Sequence, residues 1–207
     1  MKDPELFNPF GTNLMKHEVP TSVFDALTVE VETLKSHLAN QDFLKEYSMS
    51  NYLAGHNSYQ IKVPQSFLTA NDIESYLLSI GEFYCRSHDV EKHLKLGSVW
   101  INYAYKGDFN PIHNHDALLS GVIYIAQDAK IYEEMDKVTN FRQMTAVPGA
   151  THFVYKLDHN PFDKTFFTNR SEPGHLLMFP SWLSHFVNPF NSESERITVA
   201  FNILENN

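Results

Sequence analysis

Two histidines one residue apart open a segment that could bind a metal ion. The stretch NPIHNHD at 110–116 holds His113 and His115 and runs into the apolar stretch LLSGVIYIA at 118–126. Residues i and i+2 of a strand point to the same face, so these imidazoles would converge on one point. Divalent first-row metals accept neutral imidazole readily, and His185 in FPSWLSHFVNPF is the best candidate for a ligand from another strand. The spacing predicts a metal site formed by these three histidines.

A buried arginine is the second feature that points to chemistry. Arg196 follows His185 by eleven positions and opens the apolar run RITVAFNI, so its guanidinium is expected to point toward the protein interior. A buried charge needs an anionic partner. The partner is either Glu193 or Glu195, in an ion pair, or the carboxylate of a small molecule held in a bidentate contact. Spacing alone leaves both alternatives open.

Two amphipathic helices are predicted in the first half of the chain. The first follows Pro20, where Thr21 or Ser22 can cap it. The second begins near Asn71, with Glu74 as a capping partner, and ends near residue 86. The apolar residues at helical spacing are Phe24, Leu27, Val31, Leu34 and Leu38 in the first, and Ile73, Leu77, Ile80 and Tyr84 in the second.

From residue 98 the hydrophobic period becomes that of β-strands. SVWINYAY at 98–105 alternates, and similar short runs follow at 118–126, 152–157, 175–180 and 196–203. No helical period is evident after residue 98. We therefore expect one mostly β domain, with residues 1–97 as a helical support and residues 98–207 as a sandwich or barrel of the jelly-roll kind. The segment from Gln127 to Pro173 shows only one clear strand and is expected to be largely a binding loop or lid.

Composition excludes several classes of protein. The formal net charge is −9, from 16 basic and 25 acidic residues, which argues against nucleic acid as the main ligand. One cysteine, Cys85, leaves no internal disulfide, and the N-terminal sequence lacks the features of a signal peptide. No apolar run reaches the length of a membrane span. These observations predict a cytoplasmic protein that binds no membrane.

The segments PIHNH, SGVIYI, GHLLMFPSWLSHFVNP and ERITVAFN together resemble the Fe(II)- and 2-oxoglutarate-dependent oxygenases. The similarity covers about residues 98–203 and is greatest to the small prolyl-hydroxylase-like proteins of phages and bacteria. It implies a double-stranded β-helix, the barrel that cupins also have. It also implies that His113 and His185 bind iron and that Arg196 binds the distal carboxylate of 2-oxoglutarate. Residues expected to line the co-substrate pocket by the same resemblance are Tyr103, Tyr124 and, more weakly, Asn202.

The second ligand position departs from the family pattern. The family has a carboxylate there, whereas this chain has His115, and Asp116 stands one residue later. Either His115 is a ligand of a three-histidine site, or a local bulge brings Asp116 into place. We favour His115 because the i, i+2 geometry needs no distortion. With three neutral ligands the metal would keep its full charge, so this departure bears on which metal is bound and not on the predicted fold.

The resemblance implies an enzyme that uses molecular oxygen to decarboxylate 2-oxoglutarate to succinate and to hydroxylate a C–H bond of a second substrate. That substrate, a prolyl residue of a protein or a small metabolite, would contact the segment 127–172, for which the candidates are Met135, Arg142, Phe166 and Phe167. One alternative is a cupin-type metal protein that does not use 2-oxoglutarate and gives Arg196 no role. The other is a degenerate oxygenase that only binds a partner. The sequence is silent on the oligomeric state; for a phage-encoded protein the location would be the host cytoplasm.

Overall fold

Two antiparallel β-sheets form the centre of the molecule. The computed structural model describes residues 4–7, 13–49, 55–138, 146–155, 165–170 and 172–206. The strands are β1 (Glu5–Phe7), β2 (Leu14–Glu18), β3 (Tyr59–Lys62), β4 (Leu94–Tyr105), β5 (Asn110–His113), β6 (Leu119–Gln127), β7 (Thr151–Val154), β8 (Phe166–Asn169), β9 (His175–Pro180), β10 (Ser184–Val187) and β11 (Glu195–Glu205). The helices are α1 (Thr21–Lys35), α2 (Gln41–Tyr47), α3 (Gln65–Ala70), α4 (Ile73–Arg86) and α5 (Ala129–Asp136).

The strands divide into a major sheet of seven and a minor sheet of four. The order is β1-β2-β9-β6-β11-β4-β3 in the major sheet and β5-β10-β7-β8 in the minor sheet. Strands distant in sequence therefore lie side by side, as β11 does between β6 and β4. This arrangement of two facing antiparallel sheets confirms the predicted double-stranded β-helix, a mostly β fold.

The outer face of the major sheet packs against the N-terminal helices. The main apolar cluster joins buried residues of the helices, such as Leu27 and Leu77, to residues of β4 and β11 such as Ile101 and Val199. The hydroxyl of Tyr103, on β4, donates a hydrogen bond to the Val31 carbonyl of α1 at 2.6 Å. Alternation along β4 therefore directs its odd-numbered residues toward the helices and its even-numbered residues toward the minor sheet.

A smaller apolar cluster fills one end of the space between the sheets. It contains Phe153 from the minor sheet and Tyr124, Leu177 and Phe179 from the major sheet. The rings of Phe153 and Phe179 meet edge to face with centroids 4.9 Å apart. This packing holds the two sheets together and leaves the other end of the space open.

The structure confirms both predicted helices and the five predicted strand runs, which correspond to β4, β6, β7, β9 and β11. Residues 156 and 157, at the end of one predicted run, lie outside the described residues. The first half of the chain also contributes strands that the sequence did not predict. β2 pairs with β9, and β3 pairs with β4, so this half extends the major sheet at both edges.

The predicted helix caps are wrong. Pro20 precedes α1, with no side-chain cap from Thr21 or Ser22. Before α4 stands Asp72, in a left-handed conformation with φ of 56° and no capping hydrogen bond. α3 ends at residue 70, so only a tight turn separates it from α4, and Glu74 instead accepts hydrogen bonds from Thr69 and Gln65.

The absence of a helix after residue 98 was also a wrong prediction, because α5 follows β6 directly. The Asp128 side chain caps it by accepting a hydrogen bond from the backbone N–H of Lys130 at 2.8 Å. Its buried residues Ile131 and Met135 pack against Phe190 in a third cluster. α5 has only eight residues, and two buried apolar positions are too few to reveal a helical period in the sequence. Among the described residues, no helix is long and apolar enough to cross a membrane.

Candidate metal and co-substrate site

Three histidines meet where the minor sheet borders the open space between the sheets. His113 ends β5 and is the register partner of His185 on the adjacent strand β10. His115 follows two residues after His113, held by a hydrogen bond from its backbone N–H to the Ser181 carbonyl at 3.0 Å. One potential ligand nitrogen from each imidazole lies within 4.8 Å of the other two. A single metal ion can be reached by all three side chains.

Backbone carbonyls orient two of these imidazoles. Nδ1 of His113 lies 2.7 Å from the Pro111 carbonyl, and Nδ1 of His185 lies 3.0 Å from the Leu183 carbonyl. Since a carbonyl oxygen only accepts, Nδ1 carries the proton in each ring and leaves Nε2 with its lone pair. Fixing the tautomer through the other ring nitrogen is the usual way in which proteins prepare a histidine to bind a metal.

Burial keeps all three imidazoles neutral. It lowers the pKa of His185 to about 3, with His113 and His115 adding repulsion, and it lowers the pKa of His115 to about 4. Burial also lowers the pKa of His113. Neutral imidazole is the form that binds a metal, so the environment favours ligation.

Asp116 stands apart from this group. Its side chain is exposed, and it is not among the residues that approach a common point. β5 ends at His113, so His115 lies beyond the strand whose alternation the prediction assumed, yet it still lies beside the other two histidines. A metal held by this set would have three neutral protein ligands.

The histidines open onto a cavity of about 270 Å³ between the two sheets, and Arg196 lines the same cavity. The Arg196 side chain is buried, at 4% exposure, and burial lowers its pKa. Its Nη2 donates to the Thr151 hydroxyl at 3.3 Å, its guanidinium lies 5.5 Å from the centre of the Tyr124 ring, and its Nε has no hydrogen-bond partner among the described residues. An unsatisfied N–H on a buried cation is suited to a carboxylate ligand.

The alternative of an internal ion pair for Arg196 is wrong. Glu195 binds Lys35, with Nζ 2.7 Å from a carboxylate oxygen, and Glu193 binds Lys106. Glu195 begins β11 with its side chain 36% exposed, and Glu193 precedes that strand with its side chain 80% exposed. Among the described residues no carboxylate forms a salt bridge with Arg196, which leaves a small-molecule carboxylate as its remaining predicted partner.

Two of the three further pocket residues that the resemblance implied lie at or beside the cavity. Asn202 lines it, and its Oδ1 accepts a hydrogen bond from Ser120 at 2.8 Å. Tyr124 is buried beside Arg196 and its hydroxyl is 3.1 Å from that of Thr151. Tyr103 does not line the cavity. It lies on the opposite face of β4, against α1, so the assignment chose the wrong face of that strand.

The described residues that were predicted to contact the second substrate do not line the cavity either. Met135 is buried in the cluster beneath α5. Phe166 and Phe167 lie on β8, at the far edge of the minor sheet, and neither lines the cavity. Arg142 lies outside the described residues. Of the segment 127–172, Thr151 is the described residue that lines the cavity.

Sequence reasoning missed the opposite wall of the cavity. It is formed by polar side chains that include Gln60 of β3, Asn102 of β4 and Thr198 of β11, together with Trp100. The alternation of SVWINYAY contains the signal for two of them, since Trp100 and Asn102 share the face opposite Tyr103. Gln60 carries no such signal because β3 joins this wall only through long-range pairing with β4.

Solved structures with the same fold are known. A prolyl-4-hydroxylase of Pseudomonas putida has a TM-score of 0.59 at 12% identity, covering 94% of each chain. A viral collagen prolyl hydroxylase of Paramecium bursaria Chlorella virus-1, in complex with 2-oxoglutarate, has a TM-score of 0.53 at 11% identity, covering 94% of this chain and 96% of that one. HygX of Streptomyces hygroscopicus, with nickel, 2-oxoglutarate and hygromycin B bound, has a TM-score of 0.55 at 11% identity, covering 95% and 84%.

No curated protein is significantly similar in sequence. A family model described as "Putative 2OG-Fe(II) oxygenase" matches residues 98–202, which hold all three histidines and Arg196. The match supports the oxygenase over the cupin alternative, in which Arg196 had no role. The chain belongs to the 2-oxoglutarate- and Fe(II)-dependent oxygenase family.

Proposed function

We propose that His113, His115 and His185 hold Fe(II), and that Arg196 holds 2-oxoglutarate, in an enzyme that hydroxylates a C–H bond. The observation that carries this proposal is one cavity with two features: three convergent neutral imidazoles and a buried arginine without a carboxylate partner among the described residues. When bound, the metal and 2-oxoglutarate would supply the oxidising chemistry with molecular oxygen: one oxygen atom enters succinate as 2-oxoglutarate loses carbon dioxide, and the other enters the C–H bond of the substrate.

The chain's own residues bind and orient these groups. Arg196 offers a bidentate contact to a carboxylate, and the Thr151 hydroxyl and the Tyr124 ring fix the guanidinium from the side. Phe153 and Phe179 pack against His185, with ring centroids 6.0 and 4.8 Å from the imidazole, and exclude water from behind the metal site. The protein thereby provides ligand geometry and a dry pocket.

Charge balance favours 2-oxoglutarate at a three-histidine site. Neutral ligands leave the charge of Fe(II) at +2, and Arg196 adds a further positive charge in the same cavity. The two carboxylates of 2-oxoglutarate would place one negative charge against each centre and lower the total charge of the cavity from +3 to +1. Co-substrate binding should therefore depend strongly on both the metal and Arg196.

An anaerobic titration of the purified apo-protein with Fe(II) and 2-oxoglutarate tests this proposal. The readout is the visible metal-to-ligand charge-transfer band. We expect a saturable band in the wild type and its loss in Arg196→Ala and in His115→Ala. Matched controls are Arg86→Ala and His93→Ala, which remove an exposed arginine and an exposed histidine and should keep the band.

The other outcomes would contradict the proposal in different ways. Metal binding without a band in the wild type would point to a metal protein that does not use 2-oxoglutarate. Absence of metal binding would indicate a module that has kept the fold but lost the activity. A band that survives Arg196→Ala would show that another group anchors the co-substrate.

The finer identity of the substrate stays a proposal, either a prolyl residue of a protein or a small metabolite. The names of the neighbours include both kinds, since two are prolyl hydroxylases and HygX is bound to hygromycin B. A cytoplasmic location and a phage origin likewise stay predictions, and mass spectrometry of fractionated cells of the source would test the location.

A further inference from the structure

We infer that Asn110 is a fourth protein ligand of the metal, bound through the oxygen of its side-chain amide. This inference rests on the proposed function, because it adds a ligand to the metal centre proposed there. It is carried by one contact. Nδ2 of Asn110 lies 3.4 Å from Nε2 of His113, the ring nitrogen that the hydrogen bond from Nδ1 to the Pro111 carbonyl leaves with its lone pair.

The separation between these two atoms is that of two ligands of one metal ion. Nitrogen and oxygen ligands lie about 2.0–2.2 Å from zinc, so two of them at an octahedral or tetrahedral ion are about 3.0–3.4 Å apart. Asn110 also lines the cavity onto which the three histidines open. The end of its side chain therefore lies at ligand distance from His113, on the side of the ring where a metal would bind.

An irregularity in β5 turns Asn110 toward the cavity. Regular alternation would place it on the opposite face of the strand from His113, which lies three residues later. The pairing with β10 shifts here, because three steps along β5 face only two steps along β10, from Val187 to His185. A shift of this kind is a β-bulge, which redirects a side chain. Pro111, which has no backbone N–H for the ladder, lies within the irregular segment.

The neighbouring backbone fixes this part of β5. His56 and Phe109 exchange backbone hydrogen bonds of 2.7 and 3.1 Å. Gly55 packs so closely that a Cβ there would lie 2.5 Å from Cδ of Pro111 and 3.4 Å from Cα of Asn110. The backbone that carries Asn110 is held by these contacts alone, so little further ordering is needed for its side chain to serve as a ligand.

The charge of the metal decides which end of the amide would face it. In the structure Nδ2 donates a hydrogen bond to the lone pair of His113. A metal ion would take that lone pair, and the positive N–H end of the amide would then point at an ion that three neutral imidazoles leave at +2. The amide oxygen carries the opposite partial charge and is a ligand that divalent cations accept. Oδ1 of Asn110 has no hydrogen-bond partner among the described residues, so no such bond opposes rotation of the amide.

Other carboxamides of the cavity wall contact groups away from the metal-binding nitrogens. Gln60 donates to Asn102 at 2.7 Å, and Nδ2 of Asn188 lies 3.1 Å from Nε2 of His152. Among the described residues, Asn110 supplies the only side-chain amide that hydrogen-bonds a ring nitrogen of the three histidines. The geometry therefore singles out one carboxamide of this wall as a ligand.

Metal binding by four variants of the full chain tests this assignment. The probes are Zn(II), followed by competition with a chromophoric chelator, and Co(II), whose visible spectrum reports the number and kind of its ligands. Asn110→Ala removes the amide, and Asn110→Asp puts a carboxylate in its place. Asn114→Ala and Asn114→Asp are the matched controls, because Asn114 is exposed between two of the histidines and does not line the cavity.

We expect Asn110→Ala to bind Zn(II) about tenfold more weakly than the wild type or worse, and its Co(II) spectrum to change because water replaces the amide. Asn110→Asp should bind Zn(II) about tenfold more tightly than the wild type, since an anionic oxygen would lie at ligand distance. Both Asn114 variants should keep the wild-type Co(II) spectrum and change Zn(II) affinity by less than about threefold, which separates ligation from the attraction of a nearby charge.

A different role for Asn110 would give different results. If both Asn110 variants bind Zn(II) more weakly and the Co(II) spectrum keeps its wild-type form, Asn110 only supports the fold and the ligand assignment is overturned. If Asn110→Ala binds Zn(II) as tightly as the wild type but binds 2-oxoglutarate more weakly, Asn110 donates to the co-substrate, and the assignment is overturned in that case also.

The results also separate this inference from the proposed function. If the wild type forms the Fe(II) and 2-oxoglutarate band but Asn110→Ala leaves both Zn(II) affinity and the Co(II) spectrum unchanged, the fourth ligand is overturned and the oxygenase proposal stands. If the wild type binds no metal, the proposed function fails and the inference fails with it.

Discussion

At the scale of single residues, the identity of position 115 decides the charge of the metal centre. The imidazole of His115 is placed where the family has a carboxylate, and no acidic residue among those described joins the three histidines. Replacing His115 with aspartate would remove one positive charge from the complex. We predict that His115→Asp binds Fe(II) at least about tenfold more tightly than the wild type, measured by anaerobic competition with a chromophoric chelator.

The matched variant for this prediction is Asp116→Ala, which removes the neighbouring carboxylate. Because Asp116 is exposed and lies outside the ligand group, its loss should leave Fe(II) affinity unchanged. A drop in affinity for Asp116→Ala, with His115→Ala unaffected, would show that a local rearrangement brings Asp116 to the metal. The three-histidine assignment would then be wrong.

At the scale of elements, the cavity depends on loops held by Asp108. Its buried carboxylate joins the segment before β3 to the turn after β4, through the hydrogen bonds with Ser58 and Tyr105. Both backbone donors point to Oδ2 and the Ser58 hydroxyl points to Oδ1, so Asp108→Asn removes the negative charge that strengthens these hydrogen bonds and replaces one of the two accepting oxygens with an N–H group. We predict a loss of about 1–3 kcal/mol in the free energy of unfolding, measured by urea denaturation.

Asp42→Asn is the control, because Asp42 forms only an exposed pair with Lys45 on α2 and should change stability by less than about 1 kcal/mol. Equal effects of the two substitutions would mean that the Asp108 hydrogen bonds do not stabilise the fold.

The sequence predicted those elements whose hydrophobic pattern is long enough to recognise. β4 and β11 have twelve and eleven residues and alternate clearly, and the buried residues of α1 and α4 recur at helical spacing. The strands β1, β3 and β5, at three or four residues, gave no such pattern and exist through pairing with distant partners. The convergence of the three histidines was predictable because the spacing of two of them is local and the third adjoins an apolar run.

Side-chain direction was harder to predict than strand existence. The alternation along β4 predicts that Tyr103 and Asn102 lie on opposite faces of the sheet, but it does not predict which face the helices cover. The hydrogen bond from Tyr103 to Val31 settles this only once α1 is packed on the sheet. The cavity wall of Gln60, Asn102 and Thr198 is likewise a product of sheet pairing, so it could be recognised only from the assembled sheets.

At the scale of the whole molecule, the proposed ligands would connect the two sheets. His113 and His185 lie on the minor sheet, whereas Arg196 lies on β11 at the middle of the major sheet. A 2-oxoglutarate molecule that contacts both the metal and Arg196 would therefore resist separation of the sheets. We predict that Zn(II) with 2-oxoglutarate raises the melting temperature more than the sum of the shifts from each alone, measured by calorimetry.

This cooperative effect depends on the arginine, which gives the prediction its control. In Arg196→Met, which keeps an unbranched chain without the charge, the metal should still raise the melting temperature and added 2-oxoglutarate should not. Arg170→Met, on an exposed arginine next to β8, should behave as the wild type. Additive shifts in the wild type would mean that the two ligands bind independently, contrary to a single site built from both sheets.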